Sequence, residues 1–355
     1  MEVFEKNALR ALLVSHAKRY PAMEPEDFFK LLYQMTFGPG HMVESEEKAL
    51  AFLSTERTEG EKEKIPFREE LGENFVRLSI RSEEAEEIPD RILARLFCLS
   101  AREKTGTRDE FLERLLFAEE LAKEEVFAFS GEYFSEALEA YRAAGLPQLH
   151  HSDAYRKEYR PAYRVVSAQY ARLLPLILRI EELFREKERL VIRLDGRCAG
   201  GKSTAAERLA SFYPGSAVVH MDDFYLPTAL RTPERYGEPG GNIHYERFRE
   251  EVVPHLGKES FSYRVLDCTT FEYGEERQVP LAPLTIVEGS YSGNPKLGMH
   301  PDIAVFFHVD PVTQLKRIEK RNGPEKKKVF AAKWIPLEEA YFRHYRVMEE
   351  SDLVL

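Results

Sequence analysis

The chain has 355 residues, with 51 Lys and Arg against 61 Asp and Glu, a formal net charge of −10. That length favours two domains, and the acidic balance argues against a partner held by its phosphate backbone, so no nucleic acid is expected. Three scattered cysteines, Cys98, Cys198 and Cys268, give neither a disulfide framework nor a metal spacing, while the charged start and the lack of a long apolar run point to a cytoplasmic protein with no membrane partner.

Residues 1–186 read as a mostly α-helical domain. Phe28, Leu31, Leu32 and Met35 follow Glu24-Pro25 at i, i+3, i+4, i+7, a helix with its start signal. That helix ends near Gly38-Pro39-Gly40-His41. The plain reading there is a C-cap and turn, and the alternative is a ligand site using His41 and Glu44 with His150 or His151. Leu112, Leu115 and Leu116 repeat the helical spacing, as do Phe134, Ala137, Leu138 and Tyr141, stopped by Gly145 and Pro147. In the run from Tyr155 to Arg164, tyrosine and arginine each recur every four residues, which predicts helical stripes interrupted at Pro161. Interdomain packing is the expected role, with an anion site of Arg156, Arg160 and Arg164 as the alternative. A helix from Val165 to Glu188, kinked at Pro175, leads to a charged hinge at 185–189.

From 187 to 355 short β-branched runs alternate with helical patterns, the grammar of an α/β domain with a mainly parallel sheet. Strands are expected at 190–195, 217–221, 284–288, 303–309 and 353–355, and helices at 202–213, 245–256, 311–321 and 336–349. The stretch from Phe261 to Val279 reads as an antiparallel ribbon.

The chemistry concentrates after the first of these strands. Gly196-Arg197-Cys198-Ala199-Gly200-Gly201-Lys202-Ser203 is G-x-x-x-x-G-K-S between a strand and a helix, the phosphate-binding P-loop in its required setting. Its backbone N–H groups, with those of the helix start at Thr204, would cradle phosphate. Lys202 would reach the β/γ-phosphates and Ser203 would ligate Mg²⁺. The position beside Lys202 at a helix start predicts a reactive, low-pKa thiol at Cys198. Asp222, past the end of the next strand, is placed to take a proton from an attacking hydroxyl, and Glu288 ends a hydrophobic strand where a Mg²⁺-holding carboxylate belongs.

Four segments in order carry a resemblance: Asp195 to Thr204; His220-Met221-Asp222-Asp223-Phe224-Tyr225; Ile286-Val287-Glu288-Gly289-Ser290-Tyr291; and Val309-Asp310-Pro311 leading to Lys320-Arg321. Together, over about 189–355, they resemble the uridine kinase-like family of P-loop kinases. The resemblance implies a P-loop kinase domain that transfers the ATP γ-phosphoryl group to a small hydroxylated metabolite, with ATP and Mg²⁺ as cofactors and a nucleoside such as uridine as the leading acceptor. By position it makes Asp222 the general base, Lys202 and Arg321 charge stabilisers, Ser203 and Glu288 the metal ligands, and Asp223, Tyr225, His244, Tyr245 and Arg247 the acceptor contacts. The ribose-gripping aspartate of uridine kinases has no clear match in Gly240–Phe248, where Asn242, His244 or Glu246 would replace it. The basic lid, Arg321 to Lys328, lacks their arginine-rich pattern. A kinase of a sugar, pantothenate-like or glycerate-like alcohol is therefore the alternative enzyme, and a nucleotide-operated switch the alternative class. The reading is compatible with a homo-oligomer and does not require one. No family resemblance is seen for 1–186.

Overall fold

The computed structural model describes residues 3–39, 43, 45–103, 105–267, 270 and 272–355. His41, Glu44 and Cys268 therefore lie outside the described residues. The chain divides into two compact units, Met1–Arg172 and Leu173–Leu355.

The first unit contains α1 (Val3–Arg19), α2 (Pro25–Phe37), α3 (Glu46–Glu59), β1 (Arg68–Glu70), β2 (Phe75–Ser79), α4 (Asp90–Ala101), α5 (Arg108–Lys123), α6 (Gly131–Ala143), α7 (Asp153–Tyr159) and β3 (Tyr163–Ser167). The start of α2 is set by Pro25 in its first turn and by a capping box between Glu24 and Asp27. Its apolar stripe enters an aromatic core in which Phe29 meets Phe134 edge-on at 5.2 Å and stacks on Tyr141 at 5.1 Å.

Two sequence expectations change here. The unit is not helical throughout: β1, β2 and β3 form a three-stranded antiparallel sheet. All five β2 residues are buried, yet Arg77 sits in the middle, which breaks the apolar alternation that marks a strand. Nor does the Tyr155–Arg164 run continue as a helix, because Arg160 turns left-handed (φ 42°) before Pro161 and the chain enters β3. The three arginines consequently diverge, Arg156 to Asp153, Arg160 to Glu63 and Arg164 to Glu56, so they do not converge on one anion. His151 is buried and its Nδ1 meets Asp27 while Nε2 meets the Tyr163 hydroxyl, both at 2.7 Å. Among the described residues no three His, Cys, Asp or Glu side chains are grouped to hold a metal ion, and no helix is long and apolar enough to cross a membrane.

Helix α8 (Ala168–Leu183) follows, and the division between units falls inside it rather than at the charged run 185–189. Beyond Leu173 its apolar residues, among them Leu176, Ile177 and Ile180, are fully buried. The Ile177 carbonyl accepts from Tyr213 at 3.3 Å, which ties this stretch to the α/β unit.

That second unit runs β4 (Leu190–Gly196), α9 (Lys202–Phe212), β5 (Ala217–His220), α10 (Pro233–Gly237), α11 (Tyr245–Glu251), β6 (Phe261–Leu266), β7 (Tyr273–Val279), β8 (Leu284–Glu288), β9 (Ile303–Phe307), α12 (Pro311–Val329), α13 (Ile335–Tyr345) and β10 (Leu353–Val354). Five strands form a parallel sheet in the order β10-β9-β4-β8-β5, and β6 with β7 makes the expected antiparallel ribbon. Strands β8 and β9 are buried at every position, as strands covered on both faces must be. Because all five strands are parallel, the chain leaves β4, β5 and β8 at the same edge, where α/β sheets place ligands. The lysine run of the expected basic lid is helical. Helix α12 breaks only at Gly323 (φ 82°), before Pro324, and Lys327 and Lys328 pair with Glu319 and Glu325.

The tightest constraint in this sheet is where β4 ends. Gly196 has φ 129°, and a Cβ there would lie 2.3 Å from the Phe307 carbonyl oxygen of β9. Gly196→Ala is expected to cost at least the ~1–3 kcal/mol of a strained backbone, read as a lower denaturation midpoint of the second unit. An unchanged midpoint would contradict the close β4–β9 approach.

Candidate active site

The loop after β4 is built around a fully buried carboxylate. Asp195 Oδ1 accepts the N–H groups of Gly196 (2.7 Å) and Tyr291 (3.1 Å), and Oδ2 accepts from Gly293 N–H and the Tyr341 hydroxyl, each at 2.7 Å. One side chain thus fixes the P-loop entrance, the turn after β8 and helix α13. The loop itself needs left-handed backbone at Ala199 (φ 57°) and Gly201 (φ 100°). The helical ladder of α9 begins with Ala205 N–H donating to Gly201 carbonyl, which leaves the N–H groups of Lys202, Ser203 and Thr204 aimed out of the helix start.

Lys202 is buried, and its ammonium is folded against the loop. It donates to the carbonyls of Gly196 (2.7 Å) and Arg197 (2.9 Å) and to Ser290 Oγ at 3.2 Å. Ser290 Oγ in turn lies 2.8 Å from Glu338 Oε1, and Cys198 N–H donates to Glu338 Oε2 at 3.0 Å. Burial pushes the Glu338 carboxyl above the usual glutamate range, against the pull of Lys202. Beside it, Arg197 pairs with Glu339 at 2.6 Å. From α12, Gln314 donates to the Cys198 carbonyl and Arg317 to the Ala199 carbonyl, both at 3.1 Å.

The three strand ends bring the expected chemistry together. Ser203 Oγ, exposed to the crevice, is 3.1 Å from Glu288 Oε2, and His220 Nδ1 is 2.6 Å from Glu288 Oε1. A hydroxyl and a carboxylate this close form a hard-oxygen pair of the kind Mg²⁺ takes, together with waters and phosphate oxygens. Asp222 opens to solvent at the end of β5, but protein groups crowd round its carboxyl. That enclosure first, and then the neighbouring Glu288 carboxylate, raise it above the usual aspartate range, with Lys202 opposing.

The remaining expected residues are placed unevenly. The Asp223 carboxylate is already committed, to the Tyr263 hydroxyl at 2.9 Å and Arg277 at 2.6 Å, so it anchors the β6–β7 ribbon. Arg247 is buried over the Phe224 ring at 4.3 Å and donates to the carbonyls of Asp223 (2.9 Å) and Arg264 (2.8 Å). Tyr225 bridges to Ile243, His244 precedes α11 with Nδ1 3.4 Å from the Tyr273 hydroxyl, and Tyr245 lies under the Arg235 guanidinium at 3.7 Å. Arg235 also holds the Glu246 carboxylate at 2.8 Å, so both Glu246 oxygens already have a partner. Arg321 is exposed and bonds Asn322 at 2.8 Å.

Cys198 departs from expectation. Burial, and then the Glu338 carboxylate, push its thiol up to about 12, outweighing Lys202. The sequence assigns no role to Asp195, Ser290, Arg317, Glu338 or Tyr341. Asp195 and Ser290 lie inside the segments that carry the resemblance, whereas nothing marks the α12 and α13 residues as partners of a loop more than a hundred positions away.

No family model and no curated protein matches the chain. Among solved structures it is similar to one from Bacillus stearothermophilus described as a possible uridine kinase, with 20% identity and TM-score 0.37, covering 51% of this chain and 99% of that one. It is also similar to a candidate fructose transport system kinase from Silicibacter sp. TM1040, with 21% identity and TM-score 0.40, covering 51% and 98%.

A thiol near 12 rather than the ordinary 9.0 has roughly a thousandfold less thiolate at neutral pH. Cys198 should therefore resist iodoacetamide, and Glu338→Gln should speed its labelling, followed by peptide mass spectrometry. Labelling of the native protein at the rate of a free cysteine would contradict the placement of Glu338.

Proposed function

We propose that the second unit is an ATP- and Mg²⁺-dependent phosphotransferase acting on a hydroxyl of a small metabolite, with nucleosides first among the candidate acceptors. The observation that carries this reading is the convergence of Lys202, Ser203, Asp222 and Glu288 from the ends of β4, β5 and β8. The ordered motifs that resemble uridine kinase-like enzymes support it as well.

In this mechanism the α9 N-terminus and the loop N–H groups bind the nucleotide phosphates. Lys202 exchanges its carbonyl partners for phosphate oxygens. Asp222 takes the acceptor's O–H proton as the oxygen–phosphorus bond forms and the bond from the γ-phosphorus to ADP breaks. Ser203 and Glu288 would hold Mg²⁺, which neutralises phosphate charge when bound. Positioning and charge neutralisation supply most of such a rate, and this inventory provides both. A nucleotide-operated switch has no use for Asp222, since it abstracts no alcohol proton. The committed Glu246 weakens a ribose-specific reading of the acceptor loop, so sugars and other alcohols belong in the same acceptor panel as nucleosides.

Lys202→Ala should cut transfer by the ~3–4 kcal/mol of a lost charge contact at the transferring group, measured as ADP release. Asp222→Asn should leave ATP binding intact and lower turnover about 10²–10⁴-fold. If ATP affinity falls instead while turnover per bound ATP is kept, Asp222 is structural.

The base must be ionised to act, and its pKa is raised. Activity should therefore fall with decreasing pH through a midpoint above the ordinary aspartate value of 3.8. Asp222→Asn should abolish that limb; a limb that survives the substitution assigns it to another group.

A further inference from the structure

The first unit contains a cavity of about 280 Å³ with an unusual floor. A buried sheet face is ordinarily aliphatic. Here the register sets Glu69 opposite Arg77 and Ser79 opposite Tyr163 on one face, and all four line the cavity. Arg77 is 4% exposed and lies over the Tyr163 ring at 4.5 Å. Of its five N–H donors, three are engaged, two with Gln34 and one with Glu69. Two donors therefore have no partner among the described residues. Ser79 Oγ, on a side chain 9% exposed, is buried with no hydrogen bond at all. Buried polar groups left this way are costly unless something completes them.

The charge around the cavity favours an anion. Glu69 is shared by Arg77 at 3.1 Å and Arg19 at 3.4 Å, while Glu63 is shared by Arg81 at 3.9 Å and Arg160 at 3.5 Å. Even with Glu158 at the rim, four guanidinium groups face three carboxylates. The walls beside this floor are aromatic, with Tyr20, Tyr155 and Tyr159 mutually packed at 4.8–5.3 Å.

We infer that this cavity is a second ligand site, independent of the nucleotide site, and that it binds a small organic anion. The acidic group, carboxylate or phosphate, would take the spare Arg77 donors and the Ser79 hydroxyl. Its flat or apolar body would lie among the tyrosines. The volume is just below the ~300–1,000 Å³ of ligand pockets, which fits a small metabolite rather than a dinucleotide.

The test is calorimetric titration of the full chain, in saturating Mg·ATP, with 4-hydroxybenzoate, phenyl phosphate and the neutral benzyl alcohol. At least one anion should bind and the alcohol should not; which anion binds distinguishes a carboxylate ligand from a phosphate ligand. Ser79→Val, which suits a strand and fills the floor, should weaken the anion about tenfold or more. Arg19→Gln, on a part-exposed side chain at the end of α1 whose removal leaves Glu69 still paired with Arg77, should weaken it severalfold and decides the matter if Ser79→Val does not fold. No anion binding at millimolar concentration, equal binding of the alcohol, or full affinity in a folded variant would overturn the proposal.

Discussion

The second unit is organised by the Asp195 carboxylate. It is completely buried and accepts four hydrogen bonds, from the P-loop, from two residues of the turn after β8 and from α13. A buried ion is tolerable only when its lone pairs are met this fully, and removing any donor leaves charge uncompensated. The same side chain therefore makes the loop's shape conditional on the C-terminal helix being in place. Phe307 imposes the matching steric condition from the other side, since its carbonyl leaves no room for a Cβ at Gly196.

Around that fixed frame the site is held in a self-satisfied state. Lys202 spends its donors on loop carbonyls and Ser290, and Glu338 receives a loop N–H and lies beside the Ser290 hydroxyl. A lysine and a carboxylate thus occupy the neighbourhood a phosphate would enter, so nucleotide binding on the proposed reading is an exchange of partners. The upward shift of Asp222 belongs to the same arrangement. Crowding and the Glu288 charge make its carboxylate a better proton acceptor than an open aspartate.

Much of this unit was legible in the sequence because local signals agree with tertiary needs. The parallel strands are short runs dominated by apolar and β-branched residues, Gly196 and Gly201 stand where the backbone must take a positive φ, and the Phe261–Val279 stretch forms the antiparallel pair its pattern suggests, with an irregularity between Arg264 and Leu266. Legibility failed where a partner comes from afar: Glu338, Tyr341 and Arg317 reach the loop through packing that no period encodes. In the first unit, β2 and β3 were missed because a buried polar face replaces the apolar one. Arg77 interrupts β2, and the four-residue Tyr/Arg repeat before β3 mimics a helix until Arg160 turns left-handed. The feature that hid the sheet also gives the cavity its chemistry.

On the proposed reading, strand ends carrying Lys202, Ser203, Asp222 and Glu288 move a phosphoryl group from ATP to an alcohol. The most direct measurement is ³¹P NMR of the full chain with Mg·ATP and a panel of nucleosides, sugars and other small alcohols. The account predicts that with at least one acceptor the γ-phosphate resonance is replaced by that of a phosphomonoester, in step with ADP. ATP that stays intact, or yields only inorganic phosphate, with every acceptor would contradict it.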